Sequence, residues 1–116
     1  MRHRKKGKIL DRKVGPRTAL VKNLAQSLVL YEKVQTTSAK AKVVRSYVER
    51  LVTTGKVSTL AHRRLLLQKL PTEGAVRKVL EVLGPRYKTR PGGYTRTTKL
   101  APRQGDRAAM VQIEFV

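Results

Sequence analysis

Residues 84–96, GPRYKTRPGGYTR, hold four cations (Arg86, Lys88, Arg90, Arg96), two tyrosines (Tyr87, Tyr94) and five Gly or Pro residues. Side chains of these kinds handle phosphate. Arginine offers phosphate oxygens a planar fork and keeps its charge when partly buried. Gly and Pro fix the path of the chain and let backbone N–H groups approach an anion closely. Two occupants fit: the phosphates of a small nucleotide, or the backbone of a polynucleotide. Residue order decides between them. A P-loop needs G-x-x-x-x-G-K-[ST] between a strand and a helix, whereas Gly92-Gly93 precedes Tyr94 and a predicted strand. The segment also contains no acid to hold Mg²⁺. The small-substrate reading fails, and a polynucleotide grip is expected. Tyr87 and Tyr94 then either stack on exposed bases, worth ~1–3 kcal/mol per base, or pack on the body.

Catalytic chemistry finds little support elsewhere. The histidines are His3, in a basic arm, and His62, beside Arg63 and Arg64. Cationic neighbours disfavour a protonated imidazole, so His62 reads as a polar surface side chain. The seven carboxylates stand singly, at Asp11, Glu32, Glu49, Glu73, Glu81, Asp106 and Glu114. No pair has acid–base or two-metal spacing, and Glu49 sits four residues after Arg45, as in a helical surface ion pair. Cysteine is absent, which excludes disulfides and thiolate metal sites. Neither an enzyme nor a bound cofactor or metal is expected.

The charge balance agrees. Lys and Arg number 27 against 7 acids, a net charge of +20 on 116 residues. A compact chain of that charge repels itself, and a polyanionic partner relieves the repulsion. Residues 1–17 carry eight cations and one acid, and residues 84–107 carry seven and one. These 41 residues hold 15 of the 27 cations. An arm and a loop reaching out from a folded body explain that distribution, which is the footprint of a nucleic-acid binder. No apolar run approaches the ~20 residues of a membrane-spanning helix, and no secretory signal is visible at the start. No membrane partner is expected, and the protein is expected in the cytoplasm.

Between the clusters lie the elements that position them, in a single domain over 1–116. Leu20, Leu24, Leu28 and Tyr31, flanked by Val21 and Ala25, form one stripe of a helix over about 17–31. KVQTT (33–37) reads as a short strand. Thr37 or Ser38 can cap a second helix with Ala41, Val44, Val48, Leu51 and Val52 inward, stopped at Gly55. A third helix, capped by Ser58 or Thr59, turns Leu66, Leu67 and Leu70 inward and ends at Pro71. A fourth follows Thr72 with Val76, Val79, Leu80 and Leu83 inward, ending at Gly84-Pro85. YTRTTKL (94–100) and AMVQIEFV (109–116) read as strands joined by a hairpin connection, with Val111, Ile113 and Phe115 on one face. A lone two-stranded ribbon is only marginally stable, so residues 33–37 are a natural third strand. The expected fold is a two-layer α/β (α+β) arrangement, in the order helix, strand, three helices, two strands. Four helices pack on a small mixed sheet of about three strands, with the arm extending from the body.

DNA or RNA stays open on these grounds. No helix-turn-helix, zinc finger or basic zipper is present, nor an RNP or GXXG motif. An irregular arm and loop suit a folded RNA better than a regular duplex, and a small architectural DNA protein is the competitor.

The segments MRHRKKGKILDRK, VQTTSAKAK, VLGPRYKTRPGGYTR and VQIEFV closely resemble, in the same order, the seventeenth protein of the bacterial large ribosomal subunit. The resemblance covers essentially the whole chain and is most specific at Pro-Gly-Gly-Tyr-Thr-Arg. It implies a two-layer α/β fold, no catalytic activity, and binding to 23S ribosomal RNA near the exit of the nascent-peptide tunnel, beside neighbouring large-subunit proteins. It places RNA contacts on Arg2, His3, Arg4, Lys5, Lys6 and Lys8 of the arm, which continues through Arg12 and Lys13. It also places them on Arg86, Tyr87, Arg90, Tyr94 and Arg96 of the loop, where Lys88 is a further expected contact. Thr36, Thr37, Lys40 and Lys42 belong to a matching junction. Residues 1–13 bury too little apolar surface to offset their ordering entropy, so they are expected to be disordered in the free protein.

Overall fold

A computed structural model describes residue 10 and residues 12–116. Helix α1 (Val14–Tyr31) leads into strand β1 (Lys33–Thr37), followed by α2 (Ser38–Gly55), α3 (Leu60–Lys69) and α4 (Glu73–Lys78). A π-helical turn (Val79–Leu83) and a short α5 (Gly84–Arg86) continue α4 directly, so these three segments make the fourth helix. Strands β2 (Thr95–Lys99) and β3 (Met110–Phe115) complete the chain. The expected order of elements holds. The expectation for residues 1–13 falls mostly outside the described residues.

β3 is the central strand, in the order β1-β3-β2, and both pairings are antiparallel. The sheet is therefore not mixed: β1 and β2 both run against β3. Val111, Ile113 and Phe115 alternate inward along β3 as their spacing predicts. Ile113 and Phe115 join a core that includes Leu28, Val29, Val44, Val48, Val52, Leu66, Val76 and Leu83. On the opposite face of the sheet, Lys33, Glu114 and Arg96 form one cross-strand row, and Gln35, Gln112 and Thr98 the next. That polar face explains why β3 alternates so cleanly.

Several boundaries differ from the sequence expectation. α1 begins at Val14, because Arg17 N–H already reaches the Lys13 carbonyl at 3.0 Å. Gly15 and Pro16 therefore lie inside its first turn, where a proline costs no hydrogen bond, and residues 14–17 are not part of the arm. Tyr31 is 74% exposed: the inward face of α1 runs through Ala25, Leu28 and Val29 instead. Leu67 is likewise exposed, while Leu66 and Leu70 are buried. Thr37 occupies the cap position of α2 without a side-chain hydrogen bond. Thr59 does cap α3, accepting from His62 N–H at 3.2 Å.

Gly84-Pro85 does not end the fourth helix. Pro85 has no N–H to donate and its ring crowds the carbonyl four residues back. The preceding turn widens to π spacing, with Gly84 N–H bonded to the Val79 carbonyl. At that turn α2 crosses at backbone contact. A Cβ on Gly84 would fall 2.9 Å from the Gly55 carbonyl carbon, closer still to its oxygen, and 3.1 Å from the Val79 oxygen. A Cβ on Gly55 would strike a Val79 methyl group. Gly55 thus acts as a crossing point more than as a helix stop.

This crossing generates a test. Helix propensity alone makes Gly84→Ala stabilising by about 0.5–1 kcal/mol, whereas forcing a methyl group between two backbones costs about 1–3 kcal/mol. The second effect wins at Gly84, and the urea midpoint falls. Gly74→Ala, with nothing within 4 Å of the new carbon, raises it. A midpoint that rises for both variants would show that the crossing gives way.

Candidate nucleic-acid interface

The loop is built on two buried rings. Tyr87 is 3% exposed and Tyr94 1% exposed. Their centroids lie 5.2 Å apart at 51°, and Tyr87 lies 6.1 Å from Phe115. Tyr87 donates its hydroxyl to the Val116 carbonyl at 2.7 Å, and the Tyr94 hydroxyl lies 3.2 Å from Thr53 Oγ1. Of the two uses the sequence left open for these rings, the structure has both packed on the body, in the core with Phe115. They tie the two ends of the loop to the body. Between them the chain turns, with Arg90 N–H bonded to the Tyr87 carbonyl at 3.0 Å and Gly93 at φ +63°, a conformation that favours glycine.

The loop cations are not equivalent. Lys88 and Arg90 are exposed, and Arg90 reaches only the Gly92 carbonyl, at 3.2 Å. Lys56, from the end of α2, donates to the Arg90 carbonyl and lies 4.8 Å over the Tyr94 ring. Arg86, in α5, forms an ion pair with Glu32. Arg96 stands in β2 on the open face of the sheet and binds Glu114 at 2.9 Å.

Of the arm, Arg2, His3, Arg4, Lys5, Lys6 and Lys8 lie outside the described residues. Arg12 and Lys13 are exposed just ahead of α1. At the junction Thr36 is buried beneath the sheet and offers no side chain to a partner in this conformation. Thr37 and Lys40 are half-buried, and Lys42 is exposed on α2.

Lys42 belongs to a larger surface that the expectations missed. The polar face of α2 carries Lys42, Arg45, Ser46, Arg50 and Thr53, opposite its buried stripe. One hollow of about 220 Å³ separates its first turns from β2, lined by Lys42, Arg45, Thr97 and Lys99. A second, of about 520 Å³, separates its last turns from the loop, lined by Ser46, Glu49, Arg50, Pro91 and Gly92. The same 3.6-residue period that marks the buried stripe also marks this face, so the signal was present in the sequence.

The described acid side chains are engaged within the protein itself. Glu49 meets Arg45 and accepts from Thr95; Glu73 pairs with Arg63, Glu81 with Arg77, and Asp106 with Arg103. Among the described residues every carboxylate has a basic partner, while Lys22, Lys42, Arg50, Lys69, Lys88 and Lys99 have no acidic one. Arg103 and the Ala108 N–H hold the Asp106 carboxyl down at about 2 and close the connection between β2 and β3. No group of acids and histidines among the described residues is arranged to hold a metal, and no described helix is long and apolar enough to cross a membrane.

A family model described as ribosomal protein L17 matches residues 20–116. The chain belongs to the ribosomal protein L17 family. It is 47% identical over 116 residues to a large ribosomal subunit protein from Dehalococcoides mccartyi, covering all of this chain and 99% of that one. The identity and coverage are the same for the Thermomicrobium roseum protein of that name. The Rickettsia bellii protein is 48% identical, with all of this chain and 82% of that one covered. The family is one of ribosomal proteins, not of enzymes.

Glu32 supplies a pH test. The hydrogen bond from Arg86 lowers its carboxyl below the ordinary 4.5, against the opposing effect of burial, with help from the charges of Arg86 and Lys78. A lowered folded-state value contributes stability above the unfolded-state pKa and loses it as pH falls through the folded-state one. Thermal unfolding of Glu32→Gln is therefore expected to start lower at pH 7 and to lose less than the wild type as pH drops below 4.5. Parallel acid limbs for the two proteins would show that the pair contributes nothing.

Proposed function

We propose that this chain is a structural constituent of the large ribosomal subunit in the cytoplasm and that it binds 23S ribosomal RNA. The observation that carries the reading is the leftover charge: with the described carboxylates all paired, the unpaired cations gather along α2, at the loop and toward the arm. Phosphate is the counter-charge they suit. Binding neutralises phosphates and releases condensed counterions, which supplies affinity without reading sequence. The family resemblance adds a location near the exit of the peptide tunnel, beside other large-subunit proteins, and contacts on the arm residues Arg2 to Lys8.

Within the loop, Lys88 and Arg90 meet phosphate directly. Arg86 and Arg96 first exchange Glu32 and Glu114 for phosphate oxygens, so each gains less. Exposed ion pairs of this kind are worth about 0–1 kcal/mol to the fold, and breaking them leaves the body intact.

Two measurements test the proposal. Sedimentation of cell lysate after a high-salt wash is expected to leave the protein with the large subunit; its release into light or DNA-containing fractions would instead favour the architectural DNA protein. Replacing Lys88 and Arg90 by Ala is expected to weaken binding to protein-free large-subunit RNA. The slope of log K against log salt flattens by about 0.7–0.9 per lost contact, and the melting temperature of the free protein holds. An unchanged slope would exclude these side chains from the interface.

A further inference from the structure

A groove of about 560 Å³ opens between α1, α2 and the end of α3, on the side of α2 away from β2. It is separate from the loop, and no sequence motif pointed to it. Its lining divides by chemistry. Val21, Val43 and the Tyr47 ring supply apolar surface, and Arg17, Lys22 and Lys69 supply three positive charges. No carboxylate lines it, and none of the three cations has an acidic partner among the described residues. The hollow beside the loop, by contrast, contains Glu49. Tyr47 donates its hydroxyl to the Lys69 carbonyl, which pins the ring between α2 and α3 before any ligand arrives.

The occupant has to satisfy both kinds of surface. A bare phosphate answers the cations and leaves the valines and the tyrosine ring wet. An apolar peptide covers the ring and strands the cations. An RNA duplex keeps its base faces stacked inside and presents only backbone and groove edges. An unpaired nucleotide brings a flat base and flanking phosphates together. The volume is within the roughly 300–1,000 Å³ typical of clefts that take small organic groups. The groove also lies at the start of α1, where Arg12 and Lys13 carry positive charge back toward the arm.

We propose that this groove is a second RNA contact, holding one unpaired nucleotide with its base against Val21, Val43 and Tyr47 and its flanking phosphates on Arg17, Lys22 and Lys69. The proposal rests on the RNA-binding reading above, and its test separates the two.

The probes are two RNA duplexes, identical except for a single bulged nucleotide, titrated with the full chain over a range of salt. The wild type is expected to prefer the bulged duplex. The Arg17→Gln, Lys22→Gln, Lys69→Gln variant loses that preference, and its salt slope on the bulged RNA is shallower by about 2, at ~0.7 per unpaired-strand phosphate. The loop variant, with Lys88 and Arg90 replaced by Ala, weakens on both duplexes alike and keeps the preference. If the groove variant retains the preference and the wild-type slope while the loop variant weakens, the groove proposal is overturned and RNA binding stands. Equal wild-type binding to both duplexes also overturns it, and leaves the groove to a protein neighbour. No binding to either RNA sinks both readings. Melting of each variant is followed in parallel; should the triple variant unfold, Lys69→Gln alone is measured, with an expected slope loss of about 0.7.

Discussion

At the crossing of α2 with the π-helical turn, two backbones touch through Gly55 and Gly84, and the rest of the molecule is arranged around that contact. Because the helices approach so closely, the fourth helix runs past Pro85 and delivers Tyr87 to the core rather than to the surface. Tyr94 enters from the other end of the loop and meets it at 5.2 Å. Two ring anchors close the loop. The cations between them are therefore carried on a segment whose ends cannot drift, although its tip is irregular. Rigid ends reduce the conformational entropy lost when such a loop settles on a partner.

Charge imposes the opposing constraint. A net +20 on a small chain disfavours compaction, and Leu and Val must supply most of the core because aromatic residues are few. The carboxylates soften the repulsion locally. Glu32 joins the end of α1 to Lys78 and Arg86 of the fourth helix, Glu73 ties α4 to Arg63 of α3, and Glu114 ties the central strand to Arg96 of β2. Acids thus staple neighbouring elements, while cations beyond their reach stay available. Stability and binding draw on the same pool of arginines, and Arg86 and Arg96 stand at the boundary between the two uses.

Much of this was legible in the sequence, for definite reasons. Period-2 alternation in MVQIEF reported the inward face of β3 because helices cover one side of the sheet and the other stays polar. Helical spacing reported Val76, Val79, Leu80 and Leu83 correctly even through a π-helical turn. Tyr31 misled because hydrophobic type says nothing about a helix's last residue, and Leu67 because it stands one helical step round from the buried Leu66 and Leu70. Gly84-Pro85 read as a stop because local rules do not see a π turn that accommodates the proline. The tyrosines of the loop read as two-way candidates, and burial decided them only once long-range packing was in view. Of the basic face of α2 only Lys42 was named as a contact, since attention fell on clusters dense in sequence rather than on cations spaced around one helix.

Those spaced cations change how the binding surface is understood. An arm and a loop suggest two separate grips, whereas α2 adds a basic face along its length, beside both the loop and β2. Toward the loop it contributes Arg50 and Lys56, toward β2 it contributes Lys42 and Arg45, and toward α1 its Val43 and Tyr47 meet Arg17 and Lys22. One helix therefore fixes the relative positions of the hollows, and its inward stripe is the centre of the core. A substitution on that stripe shifts several contact points together, while a substitution on its outer face removes one charge at a time. Spacing is thus as much a property of this basic surface as the number of its cations, and α2 sets the spacing.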